Sequence, residues 1–191
     1  MTKWLQDFWE KAADGKLFLG TYILPFAGLF FTWGFFGHLY LSNLHKNDLK
    51  EINGAIEWIG TVTEASISRS GAKYHPLKIQ LQGQSDSYKL HDNFKKDFKR
   101  IQDILRVGDN VRIYRRTKIQ SIISWGETND IFVIEKDKTT IFGFEKMIGF
   151  KKEQMHTFAG FSLICWTLYI LFIYDKKSAT VRNRGSRQQN I

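Results

Sequence analysis

The sequence predicts a membrane protein with a small β-barrel: two transmembrane helices flanking an OB-like (or SH3-like) barrel that carries one amphipathic helix. Three observations predict it. First, Leu17–Leu44 runs for 28 residues without an Asp, Glu, Lys or Arg, in a chain of formal net charge +9. Second, Gln154–Tyr174 runs for 21 more in the same way. A bilayer core of about 30 Å takes roughly 20 helical residues, so each stretch is long enough to span. Third, the polar middle alternates with the period of strands and switches once to the period of a helix.

Taken in order, residues 1–15 place Trp4, Leu5, Phe8, Trp9, Ala12 and Ala13 on one helical face and their charges elsewhere. That pattern predicts a short amphipathic helix in the membrane interface, ended at Gly15. Three acids in this leader, and no small-x-small site after the apolar stretch, argue against a cleaved signal peptide. Residues 16–44 form the first span. Pro25 should bend it, because proline removes a backbone donor. Gly28, Gly34 and Gly37 permit close helix packing, as do Ala159 and Gly160 in the second span, residues 153–174. Apart from Lys16 and Glu153 at their ends, neither span holds an Asp, Glu, Lys or Arg, which argues against an ion or proton path.

The connecting region, 45–152, is basic, with 20 Lys/Arg against 14 Asp/Glu from residue 46 onward. "AIEWIGTVTEASISRS" reads as a strand with a bulge after Gly60. "HPLKIQLQG" puts Leu77, Ile79 and Leu81 inward, and "SYKLH" returns after a turn with Tyr88 and Leu90 inward. Phe94, Phe98, Ile101 and Leu105 recur at helical spacing, capped by Asp92 and followed by Gly108. "NVRIYRR" is a strand with Val111 and Ile113 inward. "KIQSIISW", the turn "GETND" and "IFVIEKDKTTIFGF" complete the region. Three strands, a helix and two or three further strands is the order of an OB barrel. The last residues, 175–191, are basic with almost no large apolar side chain, and are expected to be disordered.

The motifs "GTV" (Gly60–Val62), "YHP" (Tyr74–Pro76) and "VGDNVRIY" (Val107–Tyr114) make the chain resemble widespread bacterial families of unknown function. In those, a small β domain with such strands sits between two spans. The resemblance implies architecture and no activity. The chain departs from the pattern in its longer Phe94–Leu105 helix and in the basic residues after Tyr114.

The outer flanks carry eight basic residues near the spans, against five on the near-membrane parts of the connecting region. The positive-inside rule then puts both termini in the cytoplasm and the middle domain outside an inner membrane, in the periplasm if the cell is Gram-negative.

No catalytic chemistry is legible. His38, His45, His75, His91 and His156 lack zinc spacing, and Cys165 has no partner cysteine. "SRSGAKYH" lacks the spacing of a phosphate loop. No cofactor, metal or enzymatic activity is expected. Two basic features remain as anion- or partner-binding candidates. One is the helix face of Lys95, Lys96, Lys99 and Arg100. The other is Arg112, Tyr114 and Arg116, alternating onto the outer face of one strand, where a tyrosine between arginines suits stacking and phosphate contact. The function expected is a membrane-anchored binding or scaffold protein. It would present a basic barrel to a protein partner, an envelope component or lipid headgroups, alone or as a homo-oligomer. The alternative is a ligand-gated effector whose barrel senses an anion such as a nucleotide. An external domain would not meet cytosolic nucleic acid, so that partner is not expected.

Overall fold

A computed structural model describes residues 15, 18–65, 73–124 and 126–188, with the backbone alone at 65 and 177–188. The chain divides into two compact units: residues 37–152, and the flanks 1–36 with 153–191. The interfacial helix expected over 1–15 lies outside the described residues, except for Gly15.

The flanking unit is built on two helices. Helix α1, Leu24–Ser42, follows a π-type turn at Leu19–Ile23. The π-type turn lies directly before Pro25, which has no N–H to give to the carbonyl one turn back. The other long helix spans Phe144–Gln188 and is labelled below in chain order. The stretches Leu19–Ser42 and Phe144–Lys176 are long and apolar enough to cross a membrane. No residue of the most apolar stretch of the second is buried. The helix runs past the span into the tail that was expected to be disordered. Residues 175–188 contain no proline, and Lys, Arg, Ala and Gln extend a helix that is already nucleated.

The other unit is a strand domain. Its elements are β1 (Lys50–Thr61), β2 (Glu64–Ala65), β3 (Lys73–Tyr74), β4 (Leu77–Leu81), β5 (Ser87–Leu90), α2 (Lys95–Ile104), β6 (Asn110–Arg115), α3 (Lys118–Ile123), β7 (Ile131–Lys136) and β8 (Thr139–Phe142), before α4 (Phe144–Gln188). Six strands form an antiparallel sheet in the order β5-β4-β1-β6-β7-β8, while β2 and β3 pair separately. The long β1 serves two partners. Lys50–Ala55 pairs with β6, and Ile56–Thr61 pairs with β4. Its register shift falls between Ile56 and Trp58, not after Gly60 as expected. The closed barrel expected from the sequence is not formed, because the sheet stays open. A single parallel bridge, Lys89 with Asp130, joins β5 to the start of β7.

The inward residues are those the alternation names. Leu77, Ile79, Leu81, Leu90 and Ile113 are fully buried, and Tyr88 and Val111 nearly so. Helix α2 adds Phe98, Ile101 and Leu105 to this core, with Phe94 packed against it. The 3-10 turn Asp92–Phe94 leads into the helix and is capped by His91, whose Nδ1 accepts from the Asn93 N–H at 3.2 Å. Phe94, at the N-cap of α2 itself, makes no side-chain cap bond, so the cap expected of Asp92 is not formed. Gly108 lies beyond the helix at φ +91°, where a residue with a Cβ is strained. β7 is buried on both faces from Ile131 to Glu135. Leu41, Leu44 and Met147 belong to the same core cluster.

"KIQSII" forms a helix of its own. Thr117 Oγ1 accepts from the Gln120 N–H, and Gln120 Oε1 accepts from the Thr117 N–H, closing a capping box.

Candidate functional site

The predicted basic residues separate into three environments. Helix α2 turns Phe98 and Ile101 inward, so its other side is open to solvent. Arg100 on that side is engaged: its Nη2 donates to Ile141 O at 2.8 Å and pairs with Asp97 at 3.3 Å. Lys146 also pairs with Asp97, at 2.6 Å. Burial would raise the Asp97 carboxyl, but the bonds and charges of Lys146 and Arg100 outweigh it and hold the pKa below its ordinary value. Lys95, Lys96 and Lys99 are exposed and make no ion pair among the described residues. Lys95 and Lys96 also stand in the first turn, where the helix dipole disfavours cations. An external anion would relieve both repulsions.

The second environment is the strand β6. Arg112 is half exposed and pairs with Glu135 Oε2 at 3.3 Å. The Tyr114 hydroxyl donates to the same oxygen at 3.3 Å, and the Lys46 ammonium lies 4.3 Å from the centre of the Tyr114 ring while pairing with Glu135. Glu135 is 6% exposed, so one buried carboxylate holds three neighbours together. A shallow groove of about 500 Å³ opens beside it, lined in part by Glu51, Asn53, Arg112, Glu135, Asp137 and Lys138. Three acids face two bases there, so the groove offers no net attraction to an anion.

The third environment corrects the outer-face expectation for Tyr114 and Arg116. Tyr114 is 7% and Arg116 1% exposed. The physical reason is that the alternation breaks: the register shifts between Tyr114 and Arg115 and β6 ends at Arg115, so Arg116 turns in among Ser124, Glu127 and Asp130, while Lys46 lies over the Tyr114 ring. Arg116 is an internal ion-pair partner. Its guanidinium pairs with Asp130 and donates to Ser124 Oγ at 2.8 Å and Glu127 O at 3.0 Å. Gly126 makes room for it, because a Cβ there would overlap the guanidinium. Burial pushes the Asp130 carboxyl up, opposed by the charges of Arg116 and Lys151. Burial likewise lowers the pKa of Arg116, opposed by Asp130 and Glu127.

Sequence reasoning missed a further charge cluster. Glu64 pairs with Lys78, accepts from the Tyr74 hydroxyl, and lies 3.4 Å from Lys89, which also pairs with Glu127 at 2.6 Å. Burial works to raise the Glu64 pKa, but Lys78, Tyr74 and Lys89 pull it down to about 2. These residues stand far apart in the sequence, with no shared spacing to announce them. Among the described residues no group of three His, Cys, Asp or Glu could hold a metal ion.

The expected packing residues of the spans also separate. Gly28 faces the Trp166 ring, 3.0 Å from where its Cβ would stand, and Gly34 faces Phe158. Gly20, not singled out from sequence, faces Phe172 in the same manner. Three glycines of one helix thus meet three large rings of the other, in antiparallel order. Thr32 Oγ1 lies 2.7 Å from Ser162 Oγ and accepts from Trp166 Nε1 at 3.0 Å. Gly37 packs instead on α3, a Cβ there standing 2.8 Å from Ile123 O. Gly160 has nothing within 4 Å, and Ala159 is half-buried. Set beside protein-family models, curated proteins and solved structures, the chain matches none of them.

Proposed function

We propose that the chain is a two-pass membrane-anchored binding module that presents its strand domain to an acidic surface, on a protein partner or on lipid headgroups. The observation that carries this reading is the set Lys95, Lys96 and Lys99. They are exposed without an acidic partner, whereas Arg100, Arg112 and Arg116 are engaged internally. Two helices whose exposed side chains are Phe, Leu, Ile and Trp supply the anchor. An OB-like circuit is part of the proposal. The sheet order β5-β4-β1-β6-β7, the parallel bridge from Lys89 of β5 to Asp130 just before β7, and a helix between β5 and β6 support it.

The test uses the full chain in nanodiscs of neutral lipid, offered vesicles containing phosphatidylglycerol. The wild type binds them at low salt and is released as the Debye length falls from about 10 Å at 0.1 M to about 3 Å at 1 M. Lys95→Gln/Lys96→Gln/Lys99→Gln keeps its fold and binds several-fold more weakly. Equal binding by both proteins at low salt removes these lysines as a site.

Both termini are proposed to be cytoplasmic and the strand domain external, on the charge bias of the flanks. Ser85 is exposed in the turn between β4 and β5. Ser85→Cys in a Cys165→Ala background is therefore expected to react with an impermeant thiol reagent on intact spheroplasts. Labelling only after lysis reverses the topology.

A gated effector is the second reading, favoured by the buried Arg116–Asp130 pair. Arg116 is bonded to Ser124 at the end of α3, on which Gly37 of α1 packs, and Lys151 of α4 acts on Asp130. Rearranging that pair would be felt by both long helices.

A further inference from the structure

Helix α3 is built inside out. Gln120, Ser121 and Ser124 are buried, while Ile119 and Ile122 are each 69% exposed. A helix on a water-facing domain shows the reverse arrangement. The inversion is fixed by bonds on the polar side. Gln120 reaches Asp48 O, Ser121 Oγ donates to Thr117 O at 3.0 Å, and Ser124 Oγ accepts from Arg116 while donating to Gln120 O at 2.6 Å. Turning the isoleucines inward would break the Gln120–Asp48 and Arg116–Ser124 bonds, leaving Asp48 O and the Arg116 guanidinium each one partner short, while the two serine-to-carbonyl bonds lie within the helix and would turn with it.

The position of α3 identifies the medium outside it. Gly37 packs directly on its C-terminal end: a Cβ there would stand 2.8 Å from Ile123 O and 3.1 Å from Ser124 Cα. Gly37 lies five residues before Ser42, the domain-side end of a helix apolar enough to cross a membrane. At 1.5 Å per residue that is about 8 Å along the helix. Interfacial helices seat their apolar faces at that depth, about 5–10 Å into the headgroup–acyl boundary. Lys118, exposed at the start of α3, is a residue that reaches headgroups from such a position. In the sequence Trp125 follows at the other end, a type enriched at membrane interfaces.

We propose that α3 is a lipid-contacting element: Ile119 and Ile122 insert into the headgroup–acyl boundary of the bilayer that α1 and α4 cross. This rests on the two-pass reading above. The strand domain is then held against the membrane at a third point besides its two helical connections. The α3 backbone joins that contact to the Arg116–Ser124 bond inside the domain.

The test places single cysteines in the full chain with Cys165→Ala, labels them with an environment-sensitive fluorophore, and reconstitutes the protein into phosphatidylcholine vesicles. Nitroxide lipids, shallow for the α3 positions and deep for Phe30→Cys, and aqueous iodide are the quenchers. Phe30→Cys reports the span and Ser85→Cys reports the water-facing turn. Ile122→Cys, and Ile119→Cys as an independent second position, are expected to be quenched by lipid several-fold more than Ser85→Cys and to be protected from iodide. Both side chains are exposed, so neither substitution disturbs the core. Quenching by iodide and not by lipid, with Phe30→Cys still quenched by lipid, overturns the proposal and leaves the anchor intact. Protection from both quenchers means that a protein, or a second copy of this chain, covers α3, and also overturns it. A Phe30→Cys label that lipid does not quench removes the two-pass reading, and this proposal falls with it.

Discussion

Replacing Arg116 by methionine is expected to cost the strand domain about 3 kcal/mol, the low end of the penalty for removing one member of a buried ion pair, because the Asp130 carboxylate left behind is 31% exposed. Arg116 is 1% exposed and holds three groups at once: the Asp130 carboxylate, Ser124 Oγ and Glu127 O. Methionine fills most of the volume and satisfies none of them. What remains is a carboxylate whose ionisation is already disfavoured by burial. The sign of the pH dependence follows. Asp130 has a raised pKa in the folded chain, so the folded state holds its proton more tightly than the unfolded one. Its contribution to stability therefore falls as pH rises from the ordinary value of 3.8 through the raised value. Removing Arg116 takes away an opposing positive charge and widens that window. Thermal unfolding of the full chain in detergent, followed by the sheet signal in circular dichroism, should show Arg116→Met losing stability from about pH 4 upward. Arg116→Met/Asp130→Asn recovers much of the loss and flattens the profile, as expected of coupled neighbours. Gly126→Ala, which drives a methyl into the guanidinium, mimics the single variant without touching a charge. A pH-independent loss in Arg116→Met would mean that packing, and not the pair, sets the cost.

That pair shows where a sequence stops being readable. The alternation in "NVRIYRR" correctly turns Val111 and Ile113 inward. It also assigns Arg112, Tyr114 and Arg116 to the opposite face, but periodicity says nothing about what lies over that face. Arg116 is enclosed by Ser124, Glu127 and Asp130, 8 to 14 positions further on, and Tyr114 is overlain by Lys46, from before β1, so neither burial is set by the strand's own period. The long apolar run "IFVI" carried a hint, because a strand buried on both faces reads as continuous rather than alternating. Helix α2 was legible because its determinants are local: a helical period of apolar residues and a glycine beyond the end. α3 was not, because its apolar residues point outward, so the usual expectation of which side faces the core fails there. The lysines of α2 were legible as a cluster. Which of them remain available could be known only once Asp97, Ile141 and Lys146 were placed around Arg100. The Glu64 cluster left no trace in the sequence, since its members converge only through pairing of β2, β3, β4 and β5.

Substituting leucine for Gly34 is expected to separate the two apolar helices. Water drives soluble helices together, but lipid tails are as apolar as leucine, so association inside a bilayer rests on close packing and a few polar contacts. Here the packing is Gly20 against Phe172, Gly28 against Trp166 and Gly34 against Phe158, with Thr32, Ser162 and Trp166 bonded between them. A polar contact of that kind contributes on the order of 0.6 kcal/mol. Overpacking costs about 1–3 kcal/mol, so one misplaced side chain outweighs the polar contacts. A Cβ at Gly34 would already fall on the Phe158 ring, before the rest of a leucine is added. Gly160 provides the contrast, with nothing within 4 Å of its would-be Cβ. Thr32→Cys/Ser162→Cys in a Cys165→Ala background reads the pairing directly, since the two oxygens lie 2.7 Å apart. Oxidation in membranes should cross-link that pair efficiently. Gly34→Leu should abolish the cross-link, Gly160→Leu should leave it, and Phe158→Ala should restore part of it in the Gly34→Leu chain by opening the space the leucine needs. Loss of the cross-link in both glycine variants would point to general disturbance of the helices. Its survival in Gly34→Leu would mean that the ring of Phe158 is free to leave, and that the glycine–ring contacts do not hold the pair.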